Sequence, residues 1–390
     1  MDRNETRAVV AQTVLAHAAW AAIRLMIGYR ALADGADAAF LGVIAASFVT
    51  PALFAAILVG RLADRFGGAA VVVFGVPVAS AGECIVLLSH GRWLLPAAAA
   101  IVGLGYLMIM VGQQTYVAHW SVQTTRDGAF GTVTAAASTG QLIGPLVITA
   151  LASMPAITTS AHEVNTDAGI IAAGIFGLSA LPTALWMWRH RGSGPKEFDS
   201  GDAGIALRLF RLPGMAKSIA ISAVVLTTVD LMYAFVPAWA TERNIAATTV
   251  GWLFALRAAI SIATRIELAR LVKRFGPTVL LRVSIGTAAL AIAFLPFVRS
   301  EGAIVVMAAL GVVLGIPQPL TMSWVVSLVP RPMQGQALGL RTSANRLVQT
   351  TIPILVGTVA GPYGITAVFF ANSLLLGASL TALVRPGLDR

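Results

Sequence analysis

The sequence predicts an all-α membrane protein, with twelve transmembrane helices in two pseudo-symmetric six-helix bundles. Three observations carry this. Of the 390 residues, 57% are hydrophobic and only 11% charged, where a soluble domain carries about 25% charged residues. Apolar runs of bilayer length recur along the whole chain, and mean hydropathy is +0.82. Finally, motifs of the first half return in the second.

A spanning helix needs about 20 mostly apolar residues. Twelve segments qualify: 8–31, 39–60, 69–89, 93–118, 129–152, 168–188, 218–240, 248–269, 278–298, 302–328, 336–360 and 364–384. Ala69–Pro77 and Ile304–Leu314 are continuously apolar. Membrane strands would instead alternate every second residue, so helices are expected. The start MDRNETR leads into an apolar run too long for a cleavable signal, and it reads as the retained first span. Trp93, Trp120 and Trp324 stand near span ends, as interfacial anchors do.

Charge sets the orientation. With the N-terminus inside, inner segments hold 17 of the 27 Lys and Arg residues, and outer loops hold only Arg92, Arg243 and Arg299. By the positive-inside rule both termini are cytoplasmic. The hydrophilic stretch 189–217 contains RHRGSGPKEFDSGDAG and reads as a cytoplasmic linker. It separates an N-terminal six-helix bundle, 1–188, from a C-terminal one, 218–390. Residues 205–212 form either a short surface helix, with Arg208 and Arg211 toward lipid phosphates, or part of a mobile linker. Twenty-four arginines against three lysines and compact loops suggest a bacterial cytoplasmic (inner) membrane protein.

The repeat is explicit. Arg61, Leu62, Arg65, Phe66 and Gly67 return at a shift of 209 as Arg270, Leu271, Arg274, Phe275 and Gly276. Gly131, Thr134, Gln141 and Pro145 return at a shift of 208 as Gly339, Thr342, Gln349 and Pro353. Gln114 and Trp120 match Gln318 and Trp324 at a shift of 204. Two six-span halves in the same orientation are the pattern of a parallel-repeat transporter, whose site lies near mid-membrane.

Gly60-Arg61-Leu62-Ala63-Asp64-Arg65-Phe66-Gly67 fits the signature Gly-x-Leu-Ala-Asp-Arg-x-Gly. With the span count and the central linker, it makes the chain resemble the major facilitator superfamily over its whole length. The resemblance implies that Gly60, Asp64, Arg65 and Gly67 belong to a cytoplasmic gate, with Asp64 at the positive N-terminal end of span eleven. The family's loop usually continues with basic residues, whereas Gly68 and Ala69 follow here. Gly131, Gly140, Gly144 and Pro145 have the spacing Gly-x8-Gly-x3-Gly-Pro, which resembles the family's antiporter motif. The alternative is close glycine packing between helices. Many proton-driven members carry an arginine in span four, and this span has none. RLMIGYRALADGADAAFLG, ALRAAISIATR and GLRTSANRLVQ also resemble segments of a bacterial subgroup without an assigned substrate.

Seven arginines fall within spans or at their edges. A charge at mid-membrane costs at least about 2.5–3.5 kcal/mol, so it has a partner or a purpose. Arg265, Arg282 and Arg341 lie near inner span ends, where snorkelling explains them. Arg24, Arg257 and Arg346 lie deeper, Arg346 about 15 Å into its span, with His17 on the Arg24 face of span one. Arginine's rigid fork suits a carboxylate, phosphate or phosphonate. These three are the candidate anion-binding residues, helped by Gln113, Gln114, Gln318 and Asn345. The alternative is that they pair internally. Asp230 is the candidate proton-coupling residue, which substrate binding at Arg257 frees to take a proton. Glu83, on the usually peripheral third span, reads as a structural partner.

No Gly-x-x-x-x-Gly-Lys-[Ser/Thr] loop and no His-Glu-x-x-His spacing occur, so neither an ATP-driven pump nor an enzyme is expected. One cysteine, Cys84, excludes an internal disulfide and a cysteine-cluster metal site. The reading is therefore a secondary transporter exporting a small organic anion, in exchange for protons. Uptake by proton symport, multidrug efflux and a membrane sensor on the same scaffold are the alternatives. The expected partners are the anionic substrate, protons and the bilayer, with no cofactor, no metal and no nucleic acid, in a monomer.

Overall fold

The computed structural model describes residues 3–89, 91–120, 126–154, 164–191, 208–330 and 333–384. The predicted linker residues 192–207, the start of the predicted surface helix, His90, His162, Arg331, Arg385 and Arg390 lie outside the described residues. Among the described residues there are helices and turns and no strand. In chain order the α-helices are α1 (Arg3–Ala33), α2 (Ala38–Phe66), α3 (Gly68–Leu88), α4 (Leu95–Trp120), α5 (Arg126–Ala152), α6 (Thr166–Ser179) and α7 (Leu181–Arg191). They continue with α8 (Met215–Glu242), α9 (Ala247–Phe275), α10 (Pro277–Phe294), α11 (Ser300–Gly315), α12 (Pro317–Ser327), α13 (Gln334–Ala360) and α14 (Ile365–Val384).

Each of the twelve predicted spans coincides with one helix or with a consecutive pair. The pairs are α6–α7 and α11–α12, where the sequence predicts unbroken spans. Their breaks fall at Ala180, ahead of Pro182, and at Ile316, ahead of Pro317 and Pro319. Proline has no N–H for the ladder and crowds the preceding turn. Among the described residues, ten spans are long and apolar enough to cross a bilayer. α13 is not among them, because it carries Arg341, Asn345, Arg346 and three glutamines. Large apolar side chains point outward, Phe54 at 78% and Leu88 at 78% exposure. This reverses the soluble pattern and suits hydrocarbon contact.

The chain forms two compact units. The first comprises residues 1–36, 47–198 and 240–255; the second comprises 37–46, 199–239 and 256–390. Within the first, α3 packs along α4, and α1 packs along α5 and α6. Glycines permit the α1–α5 approach: a Cβ on Gly140 would strike the Val14 carbonyl, and one on Gly144 the Ala18 carbonyl. Within the second unit, α10 packs against α14 and α11, and Gly42 of α2 lies against the Pro353 carbonyl of α13.

The repeat seen in the sequence reappears in backbone geometry. Gly67 caps α3 with φ 86° and ψ 146°, and Gly276 caps α10 with φ 78° and ψ 154°. That region is open almost only to glycine, which is why both turns carry one at matching positions.

Candidate functional site

The second unit holds the denser polar cluster. On α13 the buried residues Arg341, Asn345 and Gln349 follow one another every four positions, so they form one stripe along the helix. Each meets a partner on α8 or α12. Arg341 Nη2 donates to Gln318 Oε1 at 2.7 Å and to Thr321 Oγ1 at 3.2 Å. Gln318 Nε2 donates to the Ser222 carbonyl at 3.0 Å, and Asn345 Nδ2 to Ser222 Oγ at 2.9 Å. Ser218 Oγ donates to the Thr321 carbonyl at 3.0 Å.

Two turns along the stripe, Gln349 Nε2 donates to Asp230 Oδ2 at 2.6 Å, and Arg346 Nη1 donates to Gln349 Oε1 at 3.5 Å. A guanidinium is thereby joined to a buried carboxylate through one amide. Asp230 is 6% exposed and Gln349 4% exposed, so the chain runs in protein of low dielectric, where each bond is strengthened. Arg346 itself is half-buried. Arg257 is buried on α9, its backbone carbonyl against Gly311 of α11.

Of the residues expected to bind substrate or protons, the structure thus joins Arg346 to Asp230, and Gln318 to Asn345 through Ser222. Arg341 is a correction. Snorkelling was expected, yet the side chain is 8% exposed and bonded to α12. Its partners are buried acceptors that lipid headgroups do not supply. The four-residue spacing to Asn345 and Gln349 was the signal that could have found it.

In the first unit the remaining candidates lie on α1 and α4. Arg24 is 7% exposed, its guanidinium carbon 5.4 Å from the Trp20 ring centre and 5.9 Å from that of Phe48. Trp20 stacks on Tyr106 with centroids 4.0 Å apart and planes 2° from parallel. The Tyr106 hydroxyl hydrogen-bonds His17 Nδ1 at 2.8 Å. Gln113, 1% exposed, donates to Gln12 Oε1 at 2.6 Å, whereas Gln114 is exposed. The Trp20 and Phe48 rings face the Arg24 guanidinium and Tyr106 backs Trp20, cation–π contacts that span counting does not reveal.

The loop and glycine motifs resolve differently. Asp64 and Gly60 are half-buried, Arg65 is exposed with its guanidinium over the Phe66 ring, and Gly67 caps α3. Of the antiporter-like glycines, Gly140 and Gly144 make the α1 contact, Gly131 has nothing near it, and Pro145 lies inside α5. Among the described residues no group of three or more His, Cys, Asp or Glu side chains could hold a metal ion.

The family model described as Major Facilitator Superfamily matches residues 9–348 and 218–389. Over 160 residues the chain is 29% identical to "Probable anion transporter 4, chloroplastic" of Arabidopsis thaliana, covering 40% of this chain and 30% of that protein. It is 31% identical over 105 residues to "Multidrug resistance protein 2" of Bacillus subtilis (strain 168), covering 27% and 26% of the two chains. The chain therefore spans less than a third of the length of either relative. A crystal structure of the nucleoside transporter NupG superposes with a TM-score of 0.82 at 13% identity, covering 98% of this chain and all of that one. One of the peptide transporter POT gives 0.74 at 16% identity, covering 97% and 92%.

Proposed function

Because this chain belongs to the major facilitator superfamily and is a multi-pass membrane transporter, we propose that it exports a small organic anion by alternating access, in exchange for protons. The observation that carries this reading is the chain Arg346–Gln349–Asp230. Arg346 carries the planar fork that matches a carboxylate, phosphate or phosphonate. Arg24 and Arg257 supply further buried positive charge in their own units. The name of the Arabidopsis relative, a probable anion transporter, points the same way.

Gln349 links the two ligands. While Asp230 is charged, it accepts from the Gln349 amide, which turns its carbonyl to Arg346 and holds that guanidinium in place. A proton on Asp230 makes it a donor. The amide can then turn its carbonyl to the acid, and Arg346 loses the acceptor that held its guanidinium in the binding position. Proton and anion thus exclude each other, which couples opposite fluxes.

The test uses vesicles containing the purified protein, a pH dye and a panel of small carboxylates and phosphonates. Anion efflux should carry protons inward. Asp230→Asn should abolish the response to a pH gradient and spare exchange of anion for anion, because Asn accepts or donates by turning its own amide. Unaltered pH dependence removes Asp230 from the mechanism. The Bacillus relative's name supports a second reading, multidrug efflux. Stabilisation by organic cations and by no anion, unchanged in Arg346→Ala, would establish that reading instead. A saturating ligand raises stability by about 2.7 kcal/mol at 100 times Kd, within reach of a thermal-shift screen.

A further inference from the structure

Glu83 stands apart from everything above. It belongs to α3, in the first unit, and is 5% exposed. Its Oε2 has no hydrogen-bond partner among the described residues. Together with Ser80, Trp20, Tyr106 and Gly177, it lines a partly open cavity of about 20 Å³ between α1, α3, α4 and α6. On its other side, a Cβ added to Gly174 of α6 would come within 3.1 Å of the same oxygen, so the helix is open there to admit the carboxyl. A buried acid usually has a partner or serves a purpose. The sequence suggested a partner for Glu83, and the described residues contain no ion pair to it.

We propose that Glu83 and this cavity form a proton-binding site inside the first unit, distinct from Asp230. The argument is chemical. A carboxylate is acceptor-only, whereas the protonated acid is a donor as well. Charged, Glu83 would stand in an apolar wall of Ala16, Ala19, Ile23, Val76 and Val102 without a compensating cation. The neutral acid fits that wall. The cavity has room for one water, which delivers the proton to Oε2 and carries it away, with no other bond made or broken.

The ionisable groups on the packed helices leave this role to Glu83. Tyr106 of α4 lines the cavity. His17 of α1 is bonded to Tyr106, and Arg24 of α1 lies over the Trp20 ring. α6 presents Gly174 and Gly177, and its acid Asp167 is bonded to Arg30. α7 carries Arg189 and His190, with His190 bonded to the Trp186 carbonyl. α2, which shares a core cluster with the opposite end of α3, carries Arg61, Asp64 and Arg65 in its last turns. The aromatic stack touches both groups: Trp20 and Tyr106 line the cavity with Glu83, and Arg24 lies over the Trp20 ring.

The proposal rests on proton coupling but not on the identity of the cargo, and its test needs no cargo. Full-length protein in detergent is treated with dicyclohexylcarbodiimide, an apolar reagent that adds to protonated carboxyl groups, and the adduct at residue 83 is quantified by mass spectrometry. Labelling should fall about tenfold per pH unit on the alkaline side of its midpoint. A protonated-carboxyl infrared band with the same pH dependence should be missing from Glu83→Gln and retained in Asp230→Asn. Should Glu83→Gln fail to fold, Glu83→Asp keeps the acid, and the labelling profile of the unaltered protein still decides. Labelling that is absent or independent of pH overturns the proposal, as does an infrared band that persists in Glu83→Gln. Vesicles that carry no anion while Glu83 still titrates would overturn the cargo assignment and leave this site standing.

Discussion

Alanine at Gly131 and alanine at Gly144 should have opposite effects, although both glycines belong to one motif on one helix. At Gly144 the new methyl would occupy the space of the Ala18 carbonyl oxygen and come within 2.9 Å of the Ala18 carbonyl carbon and Cα. Those atoms are backbone and cannot swing aside, so α1 and α5 must move apart. Overpacking of this kind costs about 1–3 kcal/mol. At Gly131 nothing lies within 4 Å, and the position is exposed. There alanine should stabilise the helix by up to about 1 kcal/mol, the penalty glycine carries within a helix. Gly140→Ala should resemble Gly144→Ala, since its methyl would come within 2.9 Å of the Ala18 nitrogen. The two substitutions share one crossing, so the double variant should lose less than the sum. Thermal unfolding in detergent reads all four proteins. Equal melting temperatures for Gly131→Ala and Gly144→Ala would refute the packing account and return the motif to a purely functional role.

Gly67→Ala and Gly276→Ala should each destabilise by about 1–3 kcal/mol, because both positions occupy backbone space that alanine avoids; melting curves check this, and a neutral effect at either disproves the shared turn geometry. Arg341→Met should cost about 1–3 kcal/mol by leaving the buried Gln318 and Thr321 acceptors without their donor. Arg270→Met removes only an exposed pair with Glu267, 82% and 48% exposed, and should fall within about 0.5 kcal/mol of the unaltered protein. Gln349→Leu should uncouple anion efflux from the pH gradient in vesicles while leaving anion-for-anion exchange measurable, and unchanged coupling would exclude the amide as the link.

The spans were legible because bilayer thickness imposes a length and an apolar content on every one of them, although α1 starts five residues before the expected 8, and α2 and α9 run six residues past the expected 60 and 269, so that Arg61–Phe66 is helix and not loop. The breaks at Ala180 and Ile316 were less legible: proline is tolerated inside α2, α3, α5, α8 and α13, so its presence alone does not mark a break. Single intramembrane charges were also visible. Their partners were not, because Arg341–Gln318 and Gln349–Asp230 are separated by 23 and 119 positions, and no spacing rule connects two helices that far apart in sequence. Depth misled at Arg341. Distance along the helix placed it near a span end, whereas which way it points decided its environment.

The repeat separates what the scaffold requires from what the site requires. Gly67 and Gly276, or Pro145 and Pro353, are shared because both halves make the same turn and carry a proline inside the corresponding helix. The shared crossing extends to positions that sequence comparison did not single out: Gly42 lies on Pro353, and at the shift of 209 Gly251 lies against Pro145 and Thr149. Polar positions behave otherwise. At a shift of 208, Arg341, Asn345 and Arg346 correspond to Val133, Ala137 and Ser138, whereas the uncharged Thr342 and Gln349 keep their counterparts Thr134 and Gln141. At a shift of 209, Arg257 stands where Phe48 stands in the first half, and Phe48 is the ring beneath Arg24. Packing requirements are symmetric because both bundles must close, while a ligand with one charged end needs donors on one side only. The asymmetry therefore marks α13 and α9, which carry Arg341, Asn345, Arg346 and Arg257, as the elements to vary when cargo choice is tested. Val133→Arg should place an added charge at a half-buried position of α5 and create no second site, lowering the melting temperature in detergent without adding anion stabilisation.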